Sequence, residues 1–80
     1  MSNLRFPENE VVVTTLLDKR INRLFTVAYA EKEKKFLASS IGASLRRNWT
    51  RNINRAALFE HWEQLETLLR NNGFKTIIDL

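Results

Sequence analysis

Apolar side chains recur between residues 12 and 28 at positions 12, 13, 16, 17, 21, 24, 25 and 28. Intervals of three and four residues mark one face of an α-helix. Thr14, Thr15, Asp18, Lys19, Asn22, Arg23 and Thr26 take the other side. Pro7 stands where helices favour a start, and Glu8 and Glu10 suit the positive end of a helix dipole. The spacing therefore predicts a helix over residues 8–30, after a loose arm over residues 1–6. A second reading competes. Val11-Val12-Val13-Thr14-Thr15 and Phe25-Thr26-Val27-Ala28-Tyr29 are strong strand formers. With Asp18-Lys19-Arg20 as a turn they would pair as a hairpin. The period favours the helix.

Glu31-Lys32-Glu33-Lys34-Lys35 mixes charges and reads as a solvated helix end or loop. Phe36-Leu37-Ala38-Ser39-Ser40-Ile41 reads as a short apolar helix. Gly42 would stop it in a left-handed conformation, and Ser44 would cap the next. At a helical pitch, Leu45, Trp49, Ile53 and Ala56 share one face of that next helix, over residues 44–55. Arg47, Arg51 and Arg55, four residues apart, line the opposite side. The apolar positions 57, 58, 62, 65, 68 and 69 fall on the opposite side again. The helix must therefore break near residues 52–56, with Asn52 or Asn54 capping a new start.

The last helix carries Leu58, Trp62, Leu65 and Leu69 as core and ends at Asn71-Asn72-Gly73. Phe74 to Leu80 alternates like a strand. It would need a partner: the N-terminal arm, a second subunit, or the hairpin strands of the competing reading.

The expected architecture is all-α, a single domain over residues 1–80. Three to four helices form a small bundle with a short extended C-terminal segment. The alternative is α+β: antiparallel strands at about residues 11–17, 21–30 and 36–45, one helix, and a last strand from Phe74.

Charge changes the picture at one place. The chain holds 13 basic and 9 acidic residues, a net charge of +4. Residues 46–55 hold four arginines and no acid, so the remainder balances at 9 against 9. Arg46, Arg47, Asn48, Thr50, Arg51, Asn54 and Arg55 are the side-chain types that hold phosphates and base edges. Trp49 lies on the apolar side and reads as core.

Ala38, Gly42, Ala43 and Ser44 match the small residue, turn glycine, apolar residue and cap of a helix-turn-helix. Asn48 departs from that pattern, which wants a buried apolar side chain there. The helix over residues 44–55 would be the reader.

Other chemistry is thin. There is no cysteine and one histidine, His61, which leaves no ordinary zinc site and no disulfide. Glu60, His61 and Glu63 point along different sides of one helix, with no nucleophile beside them. No catalytic residue, cofactor or metal is assigned, and the chain is expected not to be an enzyme. No apolar run reaches the length of a membrane span. Met-Ser-Asn-Leu-Arg-Phe-Pro lacks the apolar core of a signal peptide, so a cytoplasmic location is expected, and the sequon Asn48-Trp49-Thr50 is set aside.

The expectation is a small basic nucleic-acid-binding regulator, DNA before RNA, suited to a homodimer. The alternative is a non-enzymatic adaptor or inhibitor that docks its arginine stripe on an acidic protein.

Overall fold

In the computed structural model, residues 10–39 and 44–80 are described, as is the backbone but not the side chain of Arg46. Strand β1 spans Val11–Asp18 and pairs antiparallel with β2, Arg23–Ala30. The helix expected over residues 8–30 is thus replaced by a hairpin. The apolar spacing misleads because β1 carries apolar side chains on both faces. Val11 and Val13 are buried under the helix, while Val12 and Leu16 are half-buried on the other face. Apolar residues on both faces erase the period of two, and the run then resembles a helix. The β-branched stretch Val11 to Thr15 decides the matter locally, since its χ1 freedom is lost in a helix.

Two turns of one kind shape the meander. Four residues separate Asp18 from its pair Arg23, and four separate Ala30 from its pair Lys35. Each loop ends on a left-handed residue, Asn22 at φ 55° and Lys34 at φ 57°. In the first, Asp18 Oδ1 accepts the Arg20 amide at 3.1 Å, an Asx turn that starts the reversal.

Strand β3, Lys35–Leu37, pairs antiparallel with β2, and β4, Trp49–Thr50, pairs antiparallel with β3. The short helix expected at Phe36–Ile41 therefore begins as a strand. Ile41, Gly42 and Ala43, the turn of the supposed helix-turn-helix, lie outside the described residues, as do the arm over residues 1–6 and Pro7.

Where β3 ends, the chain from Ala56 to Phe59 takes over its place beside β2. Ala57 donates to the Leu37 carbonyl at 2.7 Å, and Thr26 and Phe59 exchange backbone hydrogen bonds of 2.7 and 2.9 Å.

One α-helix follows: α1, Trp62–Asn71. Leu65 and Leu69, one turn apart, are fully buried against Val11, Val13, Ala28, Leu37 and Phe74. Trp62 packs at the edge of this cluster. The helix stops where the sequence signals it should. Gly73 sits at φ 87°, its amide bonds the Arg70 carbonyl, and the Phe74 amide bonds the Leu69 carbonyl, both at 3.1 Å. This is a Schellman stop.

Strand β5, Thr76–Asp79, then runs parallel to β1. The sheet order is β4-β3-β2-β1-β5, mixed and five-stranded, with α1 on one face. The protein is α+β, and the all-α bundle is overturned. The alternative architecture had the strands, the single helix and the last strand near these places, but its third strand is shorter than expected and a fourth follows. No helix among the described residues is long and apolar enough to cross a membrane.

Candidate functional site

The arginine-rich stretch is not a helix. It runs through a 3-10 turn at Leu45–Arg47, the two residues of β4, a bend at Arg51 and a second 3-10 turn at Ile53–Arg55. Each piece is held by a side chain that the helical reading assigned elsewhere. Asn48 Nδ2 donates to the Ala38 carbonyl at 2.7 Å, while the Asn48 carbonyl accepts from the Ala38 amide at 2.7 Å. Trp49 Nε1 donates to the Leu45 carbonyl at 2.8 Å, and its ring meets Phe74 edge-on at 5.8 Å. Thr50 Oγ1 accepts from the Asn52 amide, and Asn52 Oδ1 accepts from the Asn54 amide, both at 3.0 Å. Asn52 thus caps a new start near residue 52, as the sequence suggests, but of a 3-10 turn.

Such a segment has short-range reasons for avoiding a helix. Asparagine and threonine at positions 48, 50, 52 and 54 offer the backbone local hydrogen bonds that compete with the helical ladder. The tryptophan anchors the segment to the core, and the arginines are left outside.

The expected site residues are divided accordingly. Arg47, Arg51, Asn54 and Arg55 are exposed. Asn48 and Thr50 are half-buried and hold the segment's own shape. The arginine stripe of one helix face does not exist, so the reader helix of a helix-turn-helix loses its carrier. Instead, the arginines occur on successive turns beside the β4 edge of the sheet.

The described ion pairs are Arg20–Asp18 at 3.2 Å, Arg23–Glu60 at 3.5 Å and Arg70–Glu66 at 3.8 Å. Among the described residues, Arg47, Arg51 and Arg55 have no carboxylate partner. Of the three acids near the last helix that could neutralise them, Glu60 and Glu66 pair with Arg23 and Arg70 instead, and Glu63 has no ion pair to an arginine of this stretch among the described residues.

The chain matches no protein-family model, no curated protein and no solved structure.

The fold also brings the tip of the β1–β2 hairpin to the second 3-10 turn. Leu16, Leu17, Asp18, Lys19 and Arg20 line one side of an open groove of about 350 Å³, and Ile53, Asn54, Ala56 and Leu58 line the other. Arg20 clasps Asp18 in this wall with Nε to Oδ1 and Nη2 to Oδ2, each at 3.2 Å. These side-chain hydrogen bonds from Arg20 hold the Asp18 carboxyl below its ordinary range and raise Arg20 in turn. This juxtaposition is missed by a reading confined to residues 46–55. The sequence signal for it is Asp18-Lys19-Arg20, the turn of the competing hairpin reading. Among the described residues no group of histidine, aspartate and glutamate is placed to hold a metal.

Proposed function

We propose that the chain is a small, non-enzymatic nucleic-acid-binding protein that grips the sugar–phosphate backbone of duplex DNA with Arg46, Arg47, Arg51 and Arg55. One observation carries the reading: the chain's entire excess of positive charge falls within one ten-residue stretch, and its described arginine side chains are exposed and have no carboxylate partner among the described residues. Unpaired guanidinium groups on a rigidly hydrogen-bonded segment suit phosphate oxygens, which accept paired N–H donors. Asn54 supplies a further polar contact at the same surface, while Asn48 and Thr50 act from behind by fixing the segment's shape.

With the arginines on turns, the contacts expected are to phosphates, which position a protein without reading sequence. Binding is therefore expected to be weak, salt-sensitive and largely indifferent to base sequence.

The test is a competition. A labelled 30-base-pair duplex bound to the protein is challenged with unlabelled duplex of unrelated sequence, with single-stranded RNA, and with polyglutamate as an acidic-protein mimic. The unrelated duplex should displace the label as well as the labelled sequence does, and polyglutamate should do so only at far higher charge concentration. Equal displacement by polyglutamate, charge for charge, would transfer the arginines to an acidic protein partner.

A further inference from the structure

Strand β5 closes the sheet on the side opposite the arginines, and among the described residues no strand lies beyond it. The Val11 amide donates to the Lys75 carbonyl at 2.8 Å, so the odd-numbered residues of β5 turn their backbone groups toward β1. Successive residues alternate. Thr76, Ile78 and Leu80 therefore direct their N–H and C=O groups outward. The side chains along this edge are apolar and open: Ile77 is 43% exposed, Ile78 40% and Leu80 59%. An edge with exposed isoleucines, whose outward backbone groups meet no strand among the described residues, is a template for a further strand.

We propose that this edge receives the same edge of a second copy, pairing β5 with β5 antiparallel about a two-fold axis. The charges of the strand choose both the occupant and the register. Only even-numbered residues can form hydrogen-bonded pairs across the axis. That leaves two compact registers, one with the axis at Ile77 and one with it at Ile78.

With the axis at Ile77, Thr76 faces Ile78 of the second copy, Ile77 faces its own counterpart, and Lys75 faces Asp79. Each interface then has two Lys75–Asp79 pairs flanking two isoleucines. With the axis at Ile78, Asp79 lies opposite Ile77 and no Lys75–Asp79 pair forms. Lys75 and Asp79 are both exposed and have no ion-pair partner among the described residues. A strand whose first and last charges are opposite, about a central isoleucine, is complementary to its own antiparallel copy.

The dimer would be one continuous ten-stranded sheet with the arginine segments at its two far ends. It neither uses nor blocks them, so it stands or falls apart from the DNA reading. The contact is small, which sets the expected dissociation constant at about 1–100 µM.

Sedimentation equilibrium of the full chain across this range tests the proposal. The native chain should pass from monomer to dimer. Lys75→Glu or Asp79→Lys, each creating two like-charge pairs, should weaken the dimer about tenfold. The double variant K75E/D79K should restore it. Ile78→Pro removes an outward donor and leaves the ladder to β1 intact, so it should abolish dimerisation with the circular dichroism spectrum unchanged. The Thr76 and Ile78 amide protons should exchange rapidly in dilute solution and slowly in concentrated solution. A chain that is monomeric throughout, or a dimer indifferent to these four variants, would overturn the assignment.

Discussion

Asn48 and Ala38 are joined by two hydrogen bonds of 2.7 Å, one from the Ala38 amide to the Asn48 carbonyl and one from the Asn48 side-chain amide back to the Ala38 carbonyl. The pair ties the first arginine turn to the end of β3 at a buried alanine. Asparagine is required because its amide reaches a main-chain acceptor that no apolar side chain could satisfy. Asn48→Ala strands that carbonyl, a loss of about 1–3 kcal/mol. For a domain of this size each kcal/mol lowers the melting temperature by about 4–8 °C. Thermal unfolding of the variant measures the loss, and a melting temperature within a degree of the parent would contradict the clamp.

Lys34 and Asn22 occupy equivalent left-handed positions in the two hairpin loops. Asparagine tolerates that conformation, whereas a lysine side chain meets a steric cost of about 1–2 kcal/mol there. Lys34→Gly relieves it and gives back part through unfolded-chain entropy, for a net gain of about 0.5 kcal/mol. Asn22→Ala should cost about 1 kcal/mol. Denaturant midpoints should therefore move in opposite directions for the two variants. A shared direction would refute the equivalence of the loops.

The Asp18–Arg20 clasp has a pH signature. The folded carboxyl titrates below its unfolded range, so the clasp contributes stability above that range. The contribution is lost as pH falls through the folded value. In Asp18→Asn the stability curve should be flatter on the acid side, with neutral-pH stability lowered toward the parent's acid value. A carbon-detected titration of the Asp18 carboxyl reads the shift directly. A midpoint at or above the unfolded range would contradict the pairing.

Much of the fold's second half is legible in the sequence. Trp62, Leu65 and Leu69 at helical spacing are the helix that covers the sheet, and Asn71-Asn72-Gly73 is its stop. The first half misleads for a physical reason. Strands with apolar residues on both faces lose their alternation, and the intervals between Val12, Leu16 and Leu24 then mimic a helical face. Only the tertiary fact that α1 covers one side, burying Val11 and Val13, separates the two faces.

The arginine segment misleads in another way. Arg47, Arg51 and Arg55 keep a four-residue spacing without a helix, because Thr50 and Asn52 divert the backbone amides of Asn52 and Asn54 into local turns. The concentration of charge survives this correction, since it depends on composition and not on conformation.

The central claim is that these arginines bind nucleic acid, and salt dependence tests it most directly. Fluorescence anisotropy with a labelled 30-base-pair duplex, from about 50 to 200 mM salt, should give micromolar binding at the low end. Four phosphate contacts predict a log–log slope of about −3.6. In the triple variant R47A/R51A/R55A that slope should fall to about −0.9, with affinity lost uniformly across duplex sequences. No binding at 50 mM salt, or a triple variant that binds with the parent's affinity and slope, would contradict the account.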